Sequence, residues 1–198
     1  MGLLVGQNGA GKSTLLRCIA AWTEVEDEPI HVHGVSSSSK DRAYQKQVVF
    51  VPDTPEFYDE LTAWEHLQFI AQLNHIARWQ DKADPLLQQF QLSEQRHAFP
   101  FTYSRGMRYK LALSMALLVQ PPLLLLDEPF GPLDALASQT LWGILNDYKT
   151  QHGSVLLSTH RLLDYGKPDV IFHLHDGGVD SLPPDDALDL VKLLSHVD

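Results

Sequence analysis

Gly6-Gln7-Asn8-Gly9-Ala10-Gly11-Lys12-Ser13-Thr14 has the spacing G-x-x-x-x-G-K-[ST], with Gly6, Gly11, Lys12 and Ser13 at the fixed positions. Glycines let a backbone curl until several N–H groups converge on one anion. The helix that should open near Lys12 adds its positive N-terminal end. In such a loop Lys12 reaches the β and γ phosphates of a nucleotide, and the Ser13 hydroxyl ligates Mg²⁺. Gln7, Asn8, Gly9, Ala10 and Thr14 complete the phosphate-holding segment. The flanks agree with this reading. Leu3-Leu4-Val5 reads as a short buried strand before the loop, and Leu15–Ala21 as a helix after it. A glycine-rich turn alone would need neither.

The second half of a nucleotide site follows from Leu123-Leu124-Leu125-Leu126-Asp127-Glu128. Four apolar residues make a strand for the middle of a parallel sheet. The two acids then emerge at its C-terminal end, where α/β sheets bind ligands. Asp127 is expected in the Mg²⁺ shell, and Glu128, adjacent but pointing elsewhere, as the general base for water. An acidic pair after a core strand is also a plain helix-capping device. The loop at Gly6–Thr14 in the same chain decides for the nucleotide site.

The 198 residues suffice for one substantial domain, and 44% hydrophobic with 20% charged residues is ordinary globular composition. Fifteen basic against twenty-five acidic residues leave a net charge of −10, which argues against sequence-independent nucleic-acid binding. A single cysteine, Cys18, excludes an intrachain disulfide and makes a reducing compartment the default. No run of eighteen apolar residues is present, so no membrane-spanning helix is expected.

Between the two motifs the pattern changes along the chain. Ile30-His31-Val32-His33 alternates and ends at Gly34, a strand with both histidines on one face. With no further ligand cluster nearby, these read as solvent-facing residues in preference to a metal site. Ser36–Ser39 is a polar loop, and Val48–Val51 a strand stopped by Pro52. Thr62 and Glu65 form a capping box opening a helix that the apolar spacing carries to about Arg78. Asp84-Pro85 predicts the start of another helix, and Ser104 can cap a third, to Val119. This block is a helical insertion between strands. Asp134 can cap a helix over 135–152, Val155–Ser158 is a strand, and Val170–Leu174 with Val179–Ser181 make a hairpin around Gly177-Gly178. A final helix is expected over Asp186–Ser195. Strands alternating with helices imply a mainly parallel sheet covered on both faces.

Three more stretches give the chain a resemblance, over nearly its whole length, to the ATP-binding subunit of ABC transporters. Tyr103-Ser104-Arg105-Gly106-Met107 occupies the place of the family signature, usually Leu-Ser-Gly-Gly-Gln. Gly131-Pro132-Leu133-Asp134 is similar to the loop that carries an aspartate across the dimer interface, and Ser158-Thr159-His160 to the switch histidine. The resemblance implies an α/β P-loop NTPase as one ATPase domain. Its core would be 1–53 and 120–182, its helical subdomain 54–119 and its C-terminal helix 183–198. It also implies ATP and Mg²⁺ as ligands, and a head-to-tail partner, the same chain or a related one. Ser104 and Gly106 of one chain would then face the γ-phosphate held by Lys12 of the other, with Asp134 at the interface. His160 would contact that phosphate and help place the water.

Four features depart from the family pattern. Asp53, in Val51-Pro52-Asp53-Thr54-Pro55, stands where a glutamine usually contacts Mg²⁺; a carboxylate can do the same, at the expense of negative charge near the γ-phosphate. Arg105 replaces the first signature glycine, and Met107 the glutamine. Together with Phe57–Thr62 these look like features of an exporter-type subset. Finally, the family normally has about thirty residues ahead of the loop, within ordinary domain sizes, including an aromatic that stacks on adenine. Here the loop begins at Gly6, so the expectation is a shortened ATPase with a weakened hold on the base.

The expected function is ATP binding and hydrolysis that drives a separate integral membrane subunit, docked through the helical insertion around 55–102, with Trp79 near the docking surface and Trp64 favoured for the core over that surface. Such a chain would be cytoplasmic and peripheral to the membrane through that partner. Two alternatives stand beside it: a regulatory module with little turnover, and a soluble, non-transport ATPase of the same family.

Overall fold

The computed structural model describes residues 1–26, 28–38, 42–151, 153–160 and 166–183. Strand β1 (Gly2–Val5) leads through the glycine loop into helix α1 (Lys12–Ile19). A small hairpin of β2 (His31–Val32) and β3 (Val35–Ser36) follows, then β4 (Val48–Val51). Next come α2 (Ala63–Leu73), α3 (Gln80–Gln89), a single 3₁₀ turn (Pro100–Thr102) and α4 (Arg105–Val119). The chain then returns to the sheet with β5 (Leu123–Leu126), α5 (Ala135–Gln151) and β6 (Ser154–Ser158). It closes with the hairpin of β7 (Val170–His175) and β8 (Gly178–Leu182).

The main sheet has the order β4-β5-β6-β1-β7-β8. All pairs are parallel except β7 with β8. β1 is therefore interior, and all four of its residues are buried. Its side chains alternate between two cores. Leu3 and Val5 join Leu126, Leu157 and Leu141 on one face, and Leu4 joins Leu16, Tyr44 and Leu125 on the other. A strand buried on both faces can carry an unbroken apolar run, which is why Leu123–Leu126 shows no alternation. The parallel arrangement brings the C-terminal ends of β1, β4, β5 and β6 to one edge of the sheet, the edge from which the glycine loop, Asp53, Asp127-Glu128 and His160 emerge.

Several local expectations are corrected. His33 lies in the β2–β3 turn with Gly34, both at positive φ (48° and 76°), so the two histidines do not share a strand face. Among the described residues no group of three or more His, Cys, Asp or Glu side chains is placed to hold a metal. Ser36 belongs to β3 and not to a loop. α2 stops at Leu73, five residues early, because Asn74 caps it: its side-chain amide and its backbone N–H both donate to the Ile70 carbonyl. α3 begins at Gln80, before Asp84-Pro85, and Pro85 lies inside it. Asp84 instead pairs with Arg96 at 2.7 Å. Buried Trp79 anchors the start of α3, meeting Trp64 at 4.6 Å between centroids with the rings tilted by 47°, so Trp79 serves the core and not an outer surface. The helix expected over Asp186–Ser195 lies outside the described residues.

Candidate nucleotide site

The loop between β1 and α1 is tightly seated. A Cβ on Gly6 would come within 2.6 Å of the Leu174 carbonyl oxygen of β7, so only hydrogen fits there. Gly11 sits at φ 100°, a left-handed conformation that directs the chain into α1. Lys12 is buried, 7% exposed, and its ammonium donates to the carbonyls of Gly6 at 2.8 Å and Gln7 at 3.2 Å. The cation is thus folded into its own loop and held at the mouth of the cradle. Gln7, Asn8, Gly9 and Thr14 are exposed on the rim, while Ala10, Gly11 and Ser13 are half-buried.

Asp127, at the end of β5, is buried, 3% exposed, and its Oδ1 accepts from Ser158 Oγ at 2.6 Å. The same Ser158 oxygen accepts the Glu128 N–H at 2.9 Å. Glu128 adopts φ 47°, an uncommon conformation for a side chain of its size. That turn, fixed by Ser158, sends the two acids in different directions. Glu128 Oε2 lies 2.9 Å from His160 Nδ1. His160 is positioned because the residue after β6 is still tied to β1: the Thr159 N–H donates to the Leu4 carbonyl at 3.1 Å. The phosphate loop, both carboxylates and the histidine therefore belong to one hydrogen-bonded frame.

Tyr109 of α4 adds a strut from the other side. Fully buried, it donates its hydroxyl to the Asp127 carbonyl at 3.2 Å. Burial first, and then the charges of Asp127, Asp53 and Glu128, push its phenol well above the usual value, so it stays a donor. At the N-terminus of α4, Ser104 is exposed and its Oγ accepts the Met107 N–H at 3.2 Å. Gly106 packs against the 131–133 loop so closely that a Cβ would lie 2.8 Å from the Pro132 carbonyl oxygen. Asp134 caps α5, accepting the Ala137 N–H at 2.8 Å. Asp53, expected on the metal, accepts from Arg105 Nη2 at 2.7 Å within the same chain.

Sequence reasoning placed Lys12, Asp127, Glu128 and His160, and the fold brings the strand ends that carry them to one edge. It gave no role to Ser158 or Tyr109. The sequence signals for Ser158 are its place at the end of a core strand and two positions ahead of His160. Tyr109 carries none, because its register on α4 faces the core through packing of whole helices.

A family model described as "ABC transporter" matches residues 1–131. The chain is 35% identical over 179 residues to the ABC-type transporter ATP-binding protein EcsA of Bacillus subtilis, covering 89% of this chain and 72% of that protein. It is 36% identical over 161 residues to the uncharacterized ABC transporter ATP-binding protein YthP of the same organism, covering 80% and 64%. A solved ATP-binding subunit of an ABC transporter superposes with a TM-score of 0.90 at 33% identity, covering 98% of this chain and 86% of that one.

Proposed function

The chain belongs to the ABC transporter family of ATP-binding proteins, and we propose that it hydrolyses ATP to power a separate membrane-spanning subunit. The observation that carries this is the frame in which Ser158 holds Asp127 and Glu128 while Glu128 meets His160 at 2.9 Å. A carboxylate in that position can take a proton from water, and the imidazole beside it, donating from Nδ1, can hold the carboxylate in place. Lys12 and the loop N–H groups receive the β and γ phosphates. The hydroxyl of Ser13 and the carboxylate of Asp127 would hold Mg²⁺, and both are the hard oxygen donors that this ion takes. Bound there, the ion offsets charge on the transferred phosphoryl group.

Two chains would pack head to tail, with Ser104 and Gly106 of one completing the phosphate site of the other and Asp134 at the interface. The close packing of Gly106 on the 131–133 loop supports this, because it holds the signature turn and the interface loop as one surface. We further propose that the core strands and the helical block 54–119 act as two parts of one ATPase. Between them lies a cleft of ≈ 590 Å³ lined by Trp22, Val49, Phe57, Ile70, Leu73 and Met115. Trp22 and Leu73 are 62% and 52% exposed at its rim. A short amphipathic segment of the membrane subunit fits such an apolar cleft, and docking there would hold the chain at the membrane's cytoplasmic face.

Glu128→Gln tests the reading. It should retain ATP binding and lose hydrolysis by about 10²–10⁴-fold, the usual range for a positioned general base. Hydrolysis at the parental rate would exclude Glu128 as the base. A second reading, a regulatory module with little turnover, is favoured by one contact: the Asp53 carboxylate expected on the metal is engaged by Arg105. Turnover measured with the membrane subunit present separates the two.

A further inference from the structure

Two of the departures from the family pattern meet in the fold. Asp53 follows β4, at the ligand edge of the sheet, and Arg105 is the first residue of α4. They lie 52 residues apart in sequence, yet Arg105 Nη2 donates to Asp53 Oδ1 at 2.7 Å. Both side chains are open to solvent, 65% for Arg105 and 40% for Asp53. An exposed pair of this kind contributes little in water and is screened by salt. A guanidinium facing a phosphate makes parallel, charge-assisted hydrogen bonds to an anion of higher charge. Arg105 is therefore held where it is by a contact that a phosphate can displace.

Its neighbours show where it would go. Arg105 leaves the same turn as Ser104 and Gly106, the residues proposed to meet a phosphate held by a second copy. Arg108, one turn further along α4, donates to the Pro55 carbonyl at 3.1 Å and lies over the Phe57 ring at 5.5 Å. Those contacts tie α4 to the 55–57 segment independently of Arg105. The Arg105 side chain can thus leave Asp53 while α4 keeps its seat.

We propose that Arg105 is a further phosphate-binding residue, serving the ATP held in the glycine loop of a second copy of this chain, with Asp53 as its counter-ion while that phosphate is absent. The exchange moves one cation from a carboxylate to a phosphate and breaks no covalent bond. It rests on the head-to-tail reading given above. It also explains why both positions depart from the family pattern together: a carboxylate at 53 offsets the cation introduced at 105.

The test is a double-mutant cycle in the Glu128→Gln background, so that bound ATP persists. Dimerisation with ATP is read by analytical ultracentrifugation, and ATP affinity of the dilute monomer by a fluorescent ATP analogue. Arg105→Gln should weaken ATP-driven dimerisation about tenfold or more, the loss of one charge-assisted phosphate contact, and leave monomer affinity within about twofold. Asp53→Asn should act in the opposite direction and strengthen dimerisation, because the cation is no longer held in its own chain. In Arg105→Gln, Asp53→Asn should add nothing. A pair that is only structural would respond to loss of either partner in the same direction, and that result overturns the proposal. So does an Asp53→Asn gain that persists without Arg105, since it would come from removing negative charge alone. If the Glu128→Gln parent binds ATP but does not dimerise, the head-to-tail reading fails and takes this inference with it. If the parent dimerises and Arg105→Gln matches it, this inference alone fails.

Discussion

Ser158 links the two acids of the candidate site. Its hydroxyl donates to Asp127 Oδ1 at 2.6 Å and accepts the Glu128 N–H at 2.9 Å, while its strand abuts β1 beside the phosphate loop. Alanine would leave a buried carboxylate oxygen and an N–H without partners. Leaving such groups unsatisfied costs about 1–3 kcal/mol each. Ser158→Ala should therefore lower stability by roughly 2–6 kcal/mol in a urea titration and also lower kcat, with a smaller change in KM, because Glu128 loses the contact that fixes its φ of 47°. Ser158→Thr keeps the hydroxyl and should recover part of kcat. Loss of stability without any loss of kcat would show that Ser158 only supports the fold.

At the scale of elements, α2 shows how local chemistry and burial act together. Its capping box is complete: Thr62 Oγ1 accepts the Glu65 N–H, and Glu65 Oε2 accepts the Thr62 N–H at 2.8 Å. The next residue, His66, is 1% exposed, bonded through Nδ1 to the Thr62 carbonyl at 2.8 Å and through Nε2 to the Tyr58 N–H at 3.0 Å. The carbonyl can only accept and the amide can only donate, so the ring is neutral with its proton on Nδ1. Burial depresses its pKa below the ordinary 6.5, a shift that the Thr62 carbonyl and Glu65 only partly oppose. The unfolded chain then takes up the proton first. Stability from this group is fully present above pH 6.5 and is lost as pH falls through the lower folded value. Urea midpoints measured from pH 7.5 to 5 should fall across that window, and His66→Asn should flatten the slope. An equal slope in the variant would assign the loss to other groups.

On the scale of the whole molecule, the cleft between β4 and the helices α2 and α4 takes no part in the phosphate chemistry proposed for this chain. Its rim residue Leu73 is half-exposed at the end of α2, so a charge there should cost little, within about 0.5 kcal/mol. Leu73→Glu should leave ATP hydrolysis by the isolated chain near the parental rate and weaken capture by the membrane subunit at least about tenfold. Undiminished capture would place the docking surface elsewhere. Among the described residues no helix is long and apolar enough to cross a membrane.

Short-range chemistry made much of this protein legible from its residues. The loop at Gly6–Thr14, the Leu123–Glu128 strand with its acids, and the caps at Thr62, Ser104 and Asp134 each depend on neighbours a few positions away. The end of α2 and the start of α3 were misread, because periodicity continues past Asn74 and Asp84-Pro85 imitates a helix start; burial of Trp79 and the Asp84–Arg96 pair decide otherwise. His160 meeting Glu128, Ser158 holding both acids, Tyr109 bracing Asp127, and Arg105 taking Asp53 join residues 18 to 52 positions apart. No local pattern encodes such contacts, since they exist only once the strand order β4-β5-β6-β1 has brought separate strand ends to one edge and α4 has packed against it. Residue type and spacing thus picked out the candidate phosphate-handling groups, and the packing of the sheet set how they meet.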